Sequence, residues 1–302
     1  MNSSSRAVGL ALVVTLSLLW GINWPMLKIG LTELPPWTFR AFMLGLGGPG
    51  LLLAVRLMGT DIRVPRSEWW PLFYASMTML TAWMIISSYA IPLVSSGDAA
   101  ILAYSMPAWS ALFGALILGE RFTWRRSAGL AIGLAGVGVL VSRSFGAIGD
   151  SLSGAMLMSV AAAVWGLGIV LHKSVRWRMP VNAVAGWQVT LAGGAMFIGA
   201  LIFDRPRFAE VSALAWFSVA FNVIAIAIVG YIIWFKIMAR YPATVASVGV
   251  LLTPIIGVVL GAWWLGEAVG WRELVSLALV VAAIALVLFE PAAPSRPVTS
   301  LE

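Results

Sequence analysis

The sequence contains no cysteine and one histidine, and only 10% of its 302 residues are charged. Without cysteine, the chain can form neither disulfides nor thiolate metal sites. Because His172 is the single histidine, the chain also cannot form a metal site with several histidine ligands or a thiol–histidine catalytic pair. These absences argue against an enzyme, and we expect no metal and no cofactor.

The scarcity of charge accompanies 61% apolar residues and a mean hydropathy of +0.97. So little polar surface cannot cover a water-soluble globule, and lipid must therefore be the solvent. A helix needs about 20 apolar residues to cross the hydrocarbon core. We predict an all-α integral membrane protein with ten transmembrane helices, near residues 8–28, 37–57, 69–92, 97–118, 124–142, 154–174, 183–203, 212–236, 243–265 and 271–289.

The second predicted span carries four glycines and a proline between Gly45 and Gly50. In water this stretch would favour a turn. In lipid, neighbouring helices can satisfy the freed backbone groups, so a kinked span is the better prediction.

Five residues in the first half of the chain recur with equal spacing in the second half. Trp to Lys is eight residues in both halves, Pro to Glu is thirteen, and Glu to Trp is four. This repetition indicates a duplicated unit. The paired residues are Trp20 and Trp165, Lys28 and Lys173, Pro107 and Pro254, Glu120 and Glu267, and Trp124 and Trp271.

Because each half contains five predicted spans, the second half enters the membrane from the opposite side. We therefore predict two inverted five-helix repeats, residues 1–143 and 152–290, around a central cavity, followed by a cytoplasmic tail at 291–302. Inverted repeats are the arrangement from which alternating access follows. The ordinary alternative is that duplication only builds a large, stable bundle.

The net charge of +7 is explained by topology, so we expect no nucleic-acid partner. If both termini are cytoplasmic, most of the 19 Lys and Arg residues lie inside, as the positive-inside rule requires. Lys28 and Arg40 are among the basic residues that this orientation assigns to the outer side.

The paired motifs resemble those of the EamA-type family of the drug/metabolite transporter superfamily: Trp20-Gly21 and Trp165-Gly166, the two prolines, and Leu-Gly-Glu at 118–120 and 265–267. The resemblance covers about residues 9–289 and is greatest to bacterial YddG-type aromatic amino acid exporters. It implies a ten-helix inverted-repeat carrier in the bacterial inner membrane, with an amino acid, aromatic or hydrophobic, as its small-molecule substrate. The alternative is an exporter of another small metabolite or drug, such as a nucleoside, a sugar derivative or an amphipathic toxin. A monomer and a weak dimer both remain open.

Aromatic and amide side chains inside the spans are candidates for the substrate cavity. An indole N–H or a buried amide needs a partner that lipid cannot supply, so these side chains should face the bundle interior. Trp20 and Trp165 are equivalent in the two repeats and should meet at the pseudo-symmetry axis. Helix–helix hydrogen bonding is the alternative role for the polar members. The candidates are Trp20, Asn23, Trp83, Tyr104, Trp165, Gln188, Asn222 and Tyr231.

Two further pairs are candidates for gating. Pro107 and Pro254 fall within predicted spans, where a proline removes a backbone hydrogen bond and bends the helix. Lys28 and Lys173 lie near span ends, where they either attract carboxylates to the cavity mouths or extend into the interface.

Acidic residues are confined to span ends. Glu120 and Glu267 are each followed by a basic residue, Arg121 or Arg272, so we expect both to cap helix ends or to form salt links there. A proton-driven exporter usually keeps a carboxylate within the membrane. We therefore hypothesise that the substrate moves down its own gradient, or that coupling uses groups near the mouths.

Overall fold

The computed structural model describes residues 3–119, 124–142, 150–240 and 243–288, and within these ranges it contains helices and no strands. Glu120 and the predicted tail at 291–302 lie outside the described residues. The α-helices are α1 (Ser3–Glu33), α2 (Pro36–Leu57), α3 (Trp69–Ala75), α4 (Trp83–Ala90), α5 (Ser96–Ala103), α6 (Met106–Leu118), α7 (Trp124–Ser142), α8 (Asp150–Ser174), α9 (Val181–Phe203), α10 (Ala213–Phe221), α11 (Tyr231–Arg240), α12 (Ala243–Leu265) and α13 (Trp271–Leu288).

Two π-helical segments join α-helices end to end. Ser76–Ala82 connects α3 to α4, and Asn222–Gly230 connects α10 to α11. Each combination forms one continuous helical segment in place of a predicted span. Because π-helical turns are rare and frequently lie at functional sites, both segments mark places of interest.

Seven helices of the described chain are long and apolar enough to cross a membrane, and Ser127–Leu140 and Leu252–Leu265 are shorter apolar helices. The all-helical membrane architecture predicted from hydropathy is therefore confirmed. The glycine-rich stretch at 45–50 does not interrupt α2, which runs on through Pro49.

The most extensive helix contacts join the two halves of the sequence. They are the contacts of α2 with α9, α7 with α13, α1 with α12, and α6 with α8. In each pair, one helix precedes residue 143 and the other follows residue 149. The principal core is therefore formed between the halves.

Glycines bring the backbones of α2 and α9 close together. A Cβ added to Gly48 would lie 2.6 Å from the Thr190 nitrogen, and one added to Gly193 would lie 2.7 Å from the Leu44 carbonyl group. Small residues permit this approach in membranes, where van der Waals packing drives helix association. Gly194, next along the chain, has no atom within 4 Å of such a Cβ.

We predict opposite effects for alanine at these two neighbouring glycines. Gly193→Ala should lower the free energy of unfolding by about 1–3 kcal/mol because its methyl group meets backbone atoms that cannot move aside. Gly194→Ala should leave the free energy unchanged or raise it by about 0.5–1 kcal/mol through helix propensity. Unfolding of the purified protein in detergent measures both effects, and equal stability of the two variants would contradict the packing argument.

The two repeat-related prolines lie in different local structures. The helix is interrupted at Tyr104 and Ser105, and Pro107 lies in the first turn of α6, where its missing N–H is not needed. Pro254 lies within α12, which is helical on both sides of it. The two prolines therefore differ in backbone context: Pro107 follows an interruption of the helix, and Pro254 lies in a continuous one.

Candidate substrate site

Two tryptophan pairs lie in the core between the halves. Trp83 of α4 and Trp165 of α8 have ring centroids 5.5 Å apart at 68°, and Trp20 of α1 and Trp234 of α11 have centroids 5.6 Å apart at 39°. Trp20 and Trp165 therefore make their ring contacts with other tryptophans and not with each other, which corrects the expectation that they meet. Edge-to-face pairs such as Trp83 and Trp165 are favoured by the ring quadrupoles.

Tyr104 connects the break between α5 and α6 to two other helices. Its ring lies edge-on to Trp24 of α1 with centroids 6.5 Å apart, and its hydroxyl hydrogen-bonds with Thr253 of α12. A cavity of about 10 Å³ lies beside it and also contacts Pro107. Tyr231, at the start of α11, is half-buried against the same core.

Two amide oxygens in this region have no hydrogen-bond partner among the described residues: Asn23 Oδ1 of α1 and Asn222 Oδ1 at the start of a π-helical segment. Asn222 is fully buried, and its Nδ2 donates to the Ser218 carbonyl over 3.0 Å. Ser218 Oγ in turn donates to the Met26 carbonyl of α1, so the two asparagines belong to helices in direct contact. Buried acceptors are normally satisfied, and two unsatisfied oxygens can accept hydrogen bonds from a bound molecule.

Gln188 is engaged away from the tryptophan pairs. Its Nε2 lies 3.0 Å from His172 Nδ1, and its backbone carbonyl accepts a hydrogen bond from Ser76 Oγ over 2.6 Å. The histidine ring also packs on Trp177, with centroids 5.2 Å apart. These contacts link α8, α9 and the first π-helical segment, which is the helix–helix alternative considered for the polar candidates.

Sequence reasoning overlooked two members of the aromatic core, Trp24 and Trp234. Both lie inside predicted spans, where the argument from the indole N–H applies as it does to Trp20. Their proximity to Tyr104 and Trp20 depends on how the helices pack, which spacing along the chain does not reveal.

A cluster of polar and charged groups lies near the carboxy-terminal end of α1. Lys28 Nζ donates to Glu267 Oε1 over 2.9 Å and to the Val94 carbonyl over 2.7 Å. The Glu267 carboxylate also accepts from the Ser96 backbone nitrogen over 2.8 Å and from Ser96 Oγ over 2.7 Å. We call these four residues, Lys28, Val94, Ser96 and Glu267, the clasp.

The clasp ties three parts of the chain together. Lys28 lies in α1, Ser96 in the first turn of α5, and Glu267 in the loop after α12. The loop turns at Gly266, whose φ of +65° is the left-handed conformation that glycine adopts without strain. A carboxylate at the amino-terminal end of α5 is also favoured by the helix dipole.

Glu267 caps the start of α5 through Ser96, as a capping role predicts, but its salt link is not with Arg272. The Arg272 guanidinium lies 4.9 Å from the centroid of the Trp271 ring, and Glu267 pairs with Lys28 from the other half of the chain. Lys173, the repeat counterpart of Lys28, is exposed in the last turn of α8. Glu120, the counterpart of Glu267, lies outside the described residues.

The clasp sets the protonation of its carboxylate. Burial raises the pKa of Glu267, but the hydrogen bonds from Ser96 and the bond and charge of Lys28 outweigh burial, so the pKa lies below its ordinary value of 4.5. The lowered pKa stabilises the folded state, and this contribution is fully present above pH 4.5. It is lost as the pH falls through the lower pKa of the folded protein.

We therefore predict that Glu267→Gln destabilises the protein near neutral pH, and that the loss of stability relative to the unsubstituted protein is smaller in acid. The unfolding midpoint of the variant should lie below that of the unsubstituted protein at about pH 6, and the gap should shrink at about pH 3 as Glu267 takes up a proton. Thermal unfolding in detergent at both pH values measures the gap. A gap that is constant or widens in acid would show that Glu267 adds no pH-dependent stability.

The model of the EamA-like transporter family matches residues 7–142 and 152–289. The chain belongs to this family. The EamA-like chain is 23% identical over 273 residues to the uncharacterized transporter YoaV of Bacillus subtilis, covering 90% of this chain and 94% of that one. It is 24% identical over 297 residues to a probable amino-acid metabolite efflux pump of Escherichia coli, covering 93% and 94%.

The fold of this EamA-like protein is also similar to a solved crystal structure. The two superpose with a TM-score of 0.64 at 22% identity, over 97% of this chain and all of the other. At this identity, the likeness shows the fold alone. Family membership and the apolar helices together make the protein a multi-pass membrane transporter.

Proposed function

We propose that this protein exports amino acids with aromatic or hydrophobic side chains from the cytoplasm, by alternating access between two inverted five-helix repeats. The observation that carries the proposal is the pair of unsatisfied amide oxygens, Asn23 Oδ1 and Asn222 Oδ1, on two helices that also bear the Trp20–Trp234 pair. The oxygens can accept hydrogen bonds from an ammonium group, and the indole rings can pack against an apolar side chain.

The helix packing supports the inverted repeat. The repeated motifs make α8 the counterpart of α1 and make α12 the counterpart of α5 with α6. Exchanging the halves therefore converts the contact of α1 with α12 into that of α8 with α6, and both are among the most extensive contacts. The family matches, 7–142 and 152–289, agree with repeats at 1–143 and 152–290.

The local backbone geometry supports the same relation. Each half contains one π-helical segment, Ser76–Ala82 or Asn222–Gly230. Each also contains a left-handed glycine after the α6 or α12 helix, with φ of +64° at Gly119 and +65° at Gly266. In the proposed orientation, both termini are cytoplasmic and the clasp lies at the outer end, where we infer that it closes the outer mouth.

Counterflow in proteoliposomes tests the proposed cargo. Vesicles preloaded with unlabelled phenylalanine or tryptophan should accumulate the labelled amino acid transiently and saturably, and an imposed proton gradient should change the rate little. The same counterflow experiment is run in parallel with labelled nucleosides and labelled sugars. Saturable counterflow of one of these, with none for any amino acid, would assign the protein to the other metabolite class.

A reporter fused to the carboxy terminus tests the orientation. A reporter that is active in the cytoplasm alone supports the placement of both termini inside. Activity of a periplasmic reporter would reverse the assignment of the clasp to the outer end.

A further inference from the structure

Arg40 is enclosed within the membrane-spanning part of the molecule. It lies in the second turn of α2 and is only 1% exposed, although the positive-inside rule assigned it to the outer side. Its Nε donates to Ser88 Oγ over 2.7 Å and its Nη2 to Ser87 Oγ over 3.4 Å, both on α4. Nη1 lies 3.3 Å from Met43 Sδ, and the guanidinium lies 5.7 Å from the centroid of the Phe39 ring.

These partners stabilise the guanidinium without neutralising its charge. Among the described residues, no carboxylate pairs with Arg40. Two acidic groups at the same end are bound elsewhere, since Glu267 pairs with Lys28 and Asp204 accepts from the Thr38 nitrogen and hydroxyl. A buried charge is costly unless it is paired, and ionisable residues within a membrane mark substrate and ion pathways.

The partners of Arg40 leave two of its five N–H donors without a hydrogen bond among the described residues. Ser87 Oγ and Ser88 Oγ both donate to the Met84 carbonyl, so their lone pairs face the arginine. A guanidinium carries five N–H donors in a planar fork, and the contacts of Arg40 occupy three of its nitrogens with one hydrogen bond each. The remaining donors suit the two oxygens of a carboxylate.

The position of Arg40 relates it to the tryptophan pairs. Ser87 follows Trp83 by four residues on the same face of α4, which places it about 6 Å further along the helix. Trp83 packs on Trp165. Beyond Ser88 the chain continues to Val94 of the clasp. Along the chain, the serines that bind Arg40 therefore lie between Trp83 of the aromatic core and Val94 of the clasp.

We propose that Arg40 receives the carboxylate of the exported amino acid on its way past the aromatic core. This inference rests on the proposed function and specifies its substrate as a carboxylate-bearing amphipath. Because Arg40 is enclosed while the clasp is closed, the ion pair forms in the step that opens the clasp end. Arg40 and its serines would then bind the carboxylate while the indole rings contact the apolar side chain.

Competition within counterflow tests the inference. For the unsubstituted protein, phenylalanine should inhibit counterflow of labelled phenylalanine about tenfold to a hundredfold more strongly than its carboxamide does, since a charge-assisted bond is lost in the amide. Arg40→Gln should reduce this ratio toward one. Arg40→Lys should reduce it several-fold, because an ammonium group cannot reproduce the planar fork.

Arg205→Gln is the matched control, because Arg205 is an exposed arginine at the same end of the bundle. It should keep the ratio of the unsubstituted protein. Since both inhibitors are compared within one variant, their ratio does not depend on the amount of folded protein. If Arg40→Gln does not fold, the ratio measured for Arg40→Lys tests the inference. An unchanged ratio in a transporting Arg40 variant overturns the inference, whereas failure of the proposed function appears as absent amino acid counterflow in the unsubstituted protein.

Discussion

A cysteine introduced at Leu27 should react about tenfold to a hundredfold faster with a membrane-impermeant maleimide from outside once Glu267 is replaced by alanine. Leu27 is 5% exposed and precedes Lys28 of the clasp, so it is shielded while the clasp is closed. Charge-assisted hydrogen bonds contribute about 1.5–3 kcal/mol, and losing that amount shifts an equilibrium between closed and open states by about one to two powers of ten. The protein has no native cysteine, so the label reports this position alone.

Glu33→Ala is the matched control for this experiment. Glu33 lies at the end of α1 and, like Glu267, accepts hydrogen bonds from the backbone nitrogen and hydroxyl of a serine, here Ser212, both over 2.7 Å. Unlike Glu267, its side chain is exposed, and it joins α1 to the start of α10. Its removal should leave the labelling rate at Leu27→Cys unchanged. Lys28→Met should accelerate labelling less than Glu267→Ala, because the bonds from Ser96 to Glu267 remain. Equal labelling with and without Glu267 would remove the clasp from the gating step.

Trp165→Leu is expected to lower the preference for aromatic over aliphatic amino acids about tenfold. Leucine keeps much of the apolar volume while removing the edge-to-face contact with Trp83 and the aromatic surface offered to a substrate ring. Such ring pairs contribute about 0.5–1.5 kcal/mol beyond their buried area, which corresponds to roughly two- to tenfold, and lost contact area adds to this. Counterflow of labelled phenylalanine, measured with leucine and phenylalanine as competitors, gives the preference directly.

Trp263→Leu serves as the comparison for Trp165→Leu. The Trp263 side chain is 80% exposed near the end of α12, where a tryptophan anchors the helix at the headgroup level. The substitution should leave the substrate preference unchanged. If Trp165→Leu transports phenylalanine and leucine in the original ratio, the Trp83–Trp165 pair has no part in selecting the substrate.

The sequence predicted the helical segments because hydropathy acts locally and lipid imposes a minimum length. It could not predict the partner of Glu267, since the nearest basic residue along the chain, Arg272, competes with Lys28 from the other half. It likewise assigned Arg40 to the outer side, because the positive-inside rule counts charges and does not report which helix faces cover them. The burial of Arg40 follows from packing against α4.

The candidate site was predicted by residue type and not by arrangement. Trp83, Gln188 and Asn222 are buried, as expected for polar atoms that lipid cannot satisfy. Which indoles pair depends on helix rotation, and the π-helical segments change that rotation in a way no apolar period reveals. Gln188 illustrates the limit, since its type fits a cavity while its contact is with His172.

The number of residues in each π-helical segment determines which way the aromatic side chains beyond it face. A π-helical turn accommodates one residue more than an α-helical turn, and each residue added to an α-helix rotates the remainder of that helix by about 100°. Trp234 faces Trp20 from beyond the segment Asn222–Gly230. A deletion of one residue there would turn the indole to another face of the helix while leaving the hydropathy of the span intact. Insertions and deletions in these two stretches should therefore be tolerated far less well than substitutions.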